Sequence, residues 1–289
     1  MCKAPALPFV RSSIIAPAKV PVREALDRYG ITPRKRFGQN FLHDPAVARK
    51  IVAGSGAGPG VRVLEIGPGL GALTQPLLET GARVTAVEVD RRIAAFLTDT
   101  FAGRDGLTLR HGDILEVAWE ELVSPGTVLV ANLPYSITGP VLSRLIDHAG
   151  LFARATVMVQ REVAQRLCAG AGGKEIGAPA VLLRLLYDVE RRFDVGKGAF
   201  LPAPEVASSV LGLERREGAV LAPGLRDAVN LAYRNRRKML RKTLGGAVAP
   251  EAAIAGALEE LGQPVTARPE DLEPAEWPRL LEKAHGRPA

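Results

Sequence analysis

Beyond residue 60 the chain alternates short β-branched apolar runs with stretches whose apolar residues recur at helical spacing. Five runs, Arg62–Ile66, Arg83–Val89, Leu107–His111, Thr127–Ala131 and Ala155–Val159, read as strands, and two more follow near Arg191–Asp194 and Ser208–Glu214. Helices are predicted at Ala72–Thr80, Arg91–Phe101, Thr138–Asp147 and Val163–Cys168. Such alternation predicts an α/β fold: a doubly wound, Rossmann-like seven-stranded sheet with helices on both faces. After about Gly218 the strand signal stops. Gly224–Leu244 reads as one long helix, Pro250–Leu261 as a second with Ile254, Leu258 and Leu261 on one face, and Ala275–Ala284 as a third. These form a small C-terminal all-helical domain. Upstream, a short helix is predicted around Arg23–Tyr29, and Asp44-Pro45 opens another, with Asp as cap and Pro in the first turn. The predicted organisation is a tail and short helix over 1–30, a sheet domain over 31–217 and a helical domain over 218–289.

Composition narrows the class only slightly. With 289 residues, 47% hydrophobic and 24% charged, the chain reads as a globular protein of one full domain and a smaller one. Cys2 and Cys168 are its only cysteines, so neither a disulfide framework nor a metal cluster is implied, and a reducing cytoplasm suits it. No stretch approaches the roughly 18 consecutive apolar residues of a membrane helix. Lys3, Arg11 and Lys19 precede the first acid, Glu24, as in organellar presequences. Pro5, Pro8, Pro17 and Pro21 break any amphipathic helix there, so the segment reads as a tail. The formal net charge of +7 suits a polyanionic partner without proving one.

The first predicted strand runs into Glu65-Ile66-Gly67-Pro68-Gly69-Leu70-Gly71 and then a helix. Gly67 and Gly69 let the backbone approach a ligand closely, and the helix start offers free amides. The second strand ends at Val87-Glu88-Val89-Asp90, where a carboxylate is placed to accept hydrogen bonds from ribose hydroxyls. Gly67, Gly69, Ala72 and Glu88 equally satisfy a dinucleotide pattern, so on these residues a nicotinamide enzyme and a methyltransferase stay level. Asp113, in Gly112-Asp113 at the third strand end, is placed to reach an adenine amine, although an aspartate there also serves simply as a turn former.

Asn132-Leu133-Pro134-Tyr135, at the fourth strand end, separates the two. The exocyclic nitrogen of adenine is a poor nucleophile because its lone pair is delocalised into the ring. An Asn132 oxygen and a main-chain carbonyl that accept its two hydrogens favour a tetrahedral nitrogen, whose lone pair then points at an electrophilic methyl. Pro134 restricts the loop, and Tyr135 offers a flat face on which an extruded base stacks, worth roughly 1–3 kcal/mol. Hydride transfer has no use for this tetrad. His43 and His111 lack metal-ligand spacing and read as structural or surface residues, so no metal is expected.

The ordered motifs resemble those of the ribosomal RNA adenine dimethyltransferases, most closely the bacterial small-subunit branch. The resemblance runs through Arg36–Leu42, Glu65–Gly71, Glu88–Asp90, Gly112–Ile114, Asn132–Tyr135, Phe200–Pro204, Tyr233–Lys238 and Arg268–Leu272, nearly everything after residue 30. It implies S-adenosylmethionine as cofactor, with Gln39, Asn40 and Leu42 at its methionine end, Gly67 beside it, Glu88 at the ribose, Asp113 at the adenine and Asn132 near the transferred methyl. It implies Tyr135 stacked on the target base with help from Phe200, and small-subunit rRNA as substrate, modified at two adjacent adenosines near its 3′ end. After Pro204 the chain reads Glu205-Val206-Ala207-Ser208, where the family pattern has a basic residue and an Asp, which puts local RNA contacts in doubt.

Arg234, Arg236, Arg237, Lys238, Arg241 and Lys242 crowd one predicted helix with no acid among them, and Arg34, Lys35 and Arg36 add a second basic spot. Unbalanced runs of this kind hold phosphates, giving salt-dependent affinity with little base readout. The partner expected is the small ribosomal subunit, met by a monomer in the cytoplasm. A large-subunit rRNA methyltransferase and an assembly factor that only binds are the rival readings; intact Glu88, Asp113 and Asn132 favour catalysis.

Overall fold

The predicted strands pair into one sheet of order β4-β3-β2-β5-β6-β9-β7. Its members are β2 (Arg62–Ile66), β3 (Arg83–Glu88), β4 (Leu107–His111), β5 (Thr127–Asn132), β6 (Phe152–Gln160), β7 (Tyr187–Val195) and β9 (Ser208–Arg215). The computed structural model describes residues 22–32, 39–170, 172–173 and 175–286. Strands β4, β3, β2, β5 and β6 run parallel, while β9 lies antiparallel between β6 and β7. A second sheet pairs β1 (Phe41–Leu42) with β8 (Phe200–Leu201), Leu42 opposite Phe200. Strand order reverses between β2 and β5, because the chain first builds outward through β3 and β4 and then returns. Such a reversal opens a crevice beyond the carboxyl ends of the strands.

The helices are α1 (Val22–Arg28), α2 (Pro45–Ala53), α3 (Thr74–Glu79), α4 (Arg91–Thr100), α5 (Trp119–Leu122), α6 (Thr138–Asp147), α7 (Arg161–Cys168), α8 (Ala178–Leu186), α9 (Leu225–Arg234), α10 (Leu240–Leu244), α11 (Glu251–Glu260) and α12 (Glu276–Ala284). Asp44 caps α2, its Oδ1 accepting from Ala46 N–H at 2.8 Å, with Pro45 in the first turn as expected. Helix α8 shows no clear polar face because all but one of its residues, Arg184, are apolar. Ala180, Val181, Leu182, Leu183 and Leu186 are all buried between the sheet and the C-terminal helices.

The single helix predicted over Gly224–Leu244 is two helices. Gly224 stands outside the first at φ +78°, and Asn235–Met239 forms a turn between α9 and α10. The break has a physical reason: Asn235 through Lys238 offer no apolar side chain to bury, and three adjacent cations repel one another. Asn235 turns its side-chain amide back onto the Leu231 carbonyl (3.2 Å), and the Lys238 N–H closes on the Asn235 carbonyl (2.7 Å). The turn lets Leu240 and Leu244 face the interior. The C-terminal helices share their interior with the sheet: Val229, Leu240, Ile254, Leu258 and Trp277 belong to the buried cluster that holds Leu129, Leu133, Val157 and Val181.

That shared interior predicts one cooperative thermal transition, lowered by about 2–5 kcal/mol in Leu258→Ala. Calorimetry showing two resolved transitions, with only one moved by the substitution, would indicate separate cores.

Candidate active site

The loops leaving β2, β4 and β5 are locked to their neighbours just past the strand ends. Gly67 N–H donates to the Val87 carbonyl (3.0 Å), Gly112 N–H to the Glu88 carbonyl (2.9 Å) and Leu133 N–H to the Met158 carbonyl (3.1 Å). Gly67 at φ +65° and Gly69 at φ +54° take the left-handed backbone that other residues rarely adopt, and a Cβ on Gly69 would stand 3.2 Å from the Phe41 ring. One cavity lies in the resulting crevice. All of Gln39, Asn40, Leu42, Gly67, Gly69, Glu88, Asp113 and Asn132 line it, with Leu133, Pro134, Tyr135 and Phe200.

Glu88 is buried at 4% exposure, and its two oxygens accept from the Asp90 N–H (2.9 Å) and the Gly69 N–H (3.2 Å). One carboxylate thereby ties the second strand end to the glycine loop. Burial raises its pKa, those two amides oppose the rise, and the Asp90 charge adds to it. Asp113 accepts the Leu115 N–H at 2.8 Å through Oδ1, so it does form a turn as well as lining the cavity. The Asn132 amide nitrogen donates to the Asn40 carbonyl (3.3 Å), which leaves its oxygen as the acceptor for an incoming amine. Leu133 is buried in the core at 1% exposure. The Pro134 carbonyl closes a single 3₁₀ turn over Tyr135–Ile137 by accepting from the Ile137 N–H (3.1 Å) and the Thr138 hydroxyl (3.2 Å).

Glu65, which motif reading passes over as part of the glycine loop, is the most perturbed group in this cavity. Its side chain is 1% exposed; Oε2 accepts from the Thr74 hydroxyl at 2.7 Å and Oε1 has no partner among the described residues. Burial pushes its carboxyl up to about 8; the Thr74 bond pulls the other way and the nearby Glu88 charge adds to the rise. The cavity wall therefore carries Glu65, Glu88 and Asp113, and no lysine, arginine or histidine among its described residues. A dinucleotide would bring a doubly charged pyrophosphate against this wall. A sulfonium nucleoside with an amino-acid tail would bring positive charge and no phosphate, which this wall accepts at lower cost.

Comparison with known proteins agrees. The family model described as ribosomal RNA adenine dimethylase matches residues 30–265. The chain belongs to the ribosomal RNA adenine dimethylase family. Relatives named ribosomal RNA small subunit methyltransferase A include that of Magnetococcus marinus, 45% identical over 77% of this chain and 82% of its own, and that of Deinococcus radiodurans, 43% identical over 90% and 87%. Among solved structures, a dimethyladenosine transferase from Plasmodium falciparum superposes with a TM-score of 0.73 at 24% identity, covering 83% of this chain and 95% of its own, a likeness of fold.

The basic residues of this adenine dimethylase are less uniform than their sequence suggests. Arg234 closes α9, Arg237 and Lys238 lie exposed in the turn, and Arg241 and Lys242 sit on α10. Acids distant in sequence balance part of the run: Glu251 pairs with Arg241 and with Lys242 (2.9 Å), and Glu270 with Arg236 (3.5 Å). Arg234, Arg237 and Lys238 are the exposed, unbalanced remainder. The second basic spot, Arg34 to Arg36, lies outside the described residues, as does the tail over 1–21. Among the described residues no group of acids, histidines and cysteines is arranged to hold a metal, and no helix is long and apolar enough to cross a membrane.

The protonated form of Glu65 is the one this fold prefers. Its contribution to stability is fully present below the ordinary value of 4.5 and is lost as pH rises through about 8. Glu65→Gln keeps an acceptor for Thr74 and removes the titration. Its melting temperature should therefore gain on the wild type by about 2–8 °C between pH 5 and pH 8, in the ligand-free protein. A pH-independent difference in thermal melts would contradict the buried, unpaired carboxyl.

Proposed function

We propose that this chain transfers methyl groups from S-adenosylmethionine to the N6 amines of two adjacent adenosines near the 3′ end of small-subunit rRNA, late in subunit assembly. The observation that carries the reading is the joining of a carboxylate-walled cavity to the Asn132–Tyr135 loop, in a chain of the adenine dimethylase family. When bound, S-adenosylmethionine supplies an electrophilic methyl on a sulfonium sulfur. In this reading Glu88 accepts the ribose hydroxyls and Asp113 the adenine amine. Gly67 and Gly69 admit the nucleoside close to the backbone, and Gln39, Asn40 and Leu42 flank the methionine end.

Asn132, held by Asn40, presents its oxygen to the target amine and Tyr135 stacks on the target base, with Phe200 beside it. Leu133 and Pro134 hold the loop between them. One N–C bond forms as the S–C bond breaks, and the methylated nitrogen, now strongly acidic, loses its proton to water. No general base is required, so positioning and electrostatics set the rate. The second transfer repeats this on the monomethylated amine.

Recognition of RNA falls to Arg234, Arg237 and Lys238, with Arg241 shared with Glu251, and gives phosphate contacts without base readout. Residues 31–217 then act as the methyltransferase domain and 218–289 as the recognition domain, after a tail and short helix over 1–30. The protein works as a cytoplasmic monomer on the assembling subunit.

Small subunits lacking the modification, incubated with this protein and methyl-labelled cofactor, should yield labelled dimethyladenosine near the 3′ end of their rRNA. Label appearing only on large-subunit precursors, or on neither, would overturn the assignment. Asn132→Ala should lower kcat at least about 10²-fold while cofactor affinity, measured by calorimetry, stays close to wild type; unchanged turnover would remove Asn132 from the chemistry. Replacing Arg237 and Lys238 with Ala should weaken subunit binding and reduce the slope of log affinity against log salt by about 1–2. A wild-type slope would reduce these cations to a solvated surface.

A further inference from the structure

Tyr135 stands between two spaces. One side of it lines the cofactor-shaped cavity, and the other lines an open cleft of about 690 Å³ whose walls include Leu142, Leu167, Asn230, Tyr233 and Arg234. A base entering from the cleft meets the Tyr135 ring before it meets the cavity. The ring is only half-buried, so packing alone leaves its far end free to swing about the Cα–Cβ bond. Its hydroxyl, however, shares a hydrogen bond with the Ser208 hydroxyl at 2.9 Å, across 73 residues of sequence.

Ser208 is a firm anchor. It is 1% exposed, and it opens β9, where it is paired with Gln160 on β6 and Val195 on β7. The segment between Phe200 and Ser208 thus touches the site at both ends: Phe200 lines the cavity wall, and Ser208 holds the far tip of the ring. We propose that Ser208 is a positioning residue, fixing the far end of the Tyr135 ring so that a stacked adenine presents its amine along the line of methyl transfer. This rests on the stacking role assigned to Tyr135 under the proposed function. Displacements of about 1 Å in a reacting pair cost up to roughly 10²-fold in rate, so a soft ring would show in turnover more than in binding. The second methylation, on a bulkier amine, is the more sensitive of the two.

The test combines Ser208→Ala, Tyr135→Phe and the double variant. Each single change should lower kcat by roughly 3- to 30-fold with KM for small subunits changed by less than about 2-fold. Monomethyladenosine should accumulate in the product. The double variant should be no slower than the slower single, because both remove one bond. Tyr135→Phe leaves the buried serine untouched and keeps the test open if Ser208→Ala unfolds. Independently of turnover, relaxation of tyrosine labelled with ¹³C at Cζ, which lies on the ring-flip axis, should show the Tyr135 ring rigid in wild type and mobile in Ser208→Ala. Wild-type kcat in the singles, losses that multiply in the double variant, or a ring equally mobile with and without Ser208 would each overturn the role. Absence of wild-type methylation on subunits would instead count against the proposed function, and the ring relaxation would still decide for or against Ser208.

Discussion

The site depends on one topological constraint, the reversal of strand order between β2 and β5. Because the chain lays down β3 and β4 on one side and returns to the other, four carboxyl ends finish side by side. Polar side chains far apart in sequence are thereby delivered to one crevice: Glu65, Glu88, Asp113 and Asn132. Parallel pairing continued one residue past the strands, through Gly67, Gly112 and Leu133, holds the loops that carry them. Two neighbouring carboxyls are buried there with no facing cation among the described residues. Glu65 is therefore held protonated, and the crevice disfavours an anionic occupant.

The same crevice fixes the Asn132 loop. Its amide nitrogen is taken by Asn40 from the N-terminal approach, its neighbour Leu133 is sunk in the core, and Pro134 closes a single 3₁₀ turn. The side-chain oxygen and the Tyr135 ring are what remain to meet a substrate. The C-terminal helices, built on the same interior as the sheet, keep Arg234, Arg237 and Lys238 at a fixed distance from that loop.

Much of this was legible from residue order, because strands β2 to β5 carry short β-branched runs and their ends carry the glycine loop, Glu88, Asp113 and the Asn132 tetrad. What escaped has physical causes. Helix α8 is buried over most of its surface, with Arg184 its one charged residue, so no clear polar face marks it. The break at Asn235 follows from a need to bury Leu240 that local composition does not display. Glu251 and Glu270 offset half of the basic run from 9 and more residues away, which no count of local charge anticipates. Glu65 is written inside the motif, but its isolation comes from the depth of the crevice, and the Ser208 contact with Tyr135 exists only once β9 is inserted beside β6.

Calorimetric titration of the protein with S-adenosylmethionine and, separately, with NAD tests most directly whether a crevice walled by Glu65, Glu88 and Asp113 rejects a pyrophosphate and accepts a cationic nucleoside. The account predicts saturable binding of S-adenosylmethionine at one site and no measurable binding of NAD. Binding of NAD with equal or greater affinity would contradict it.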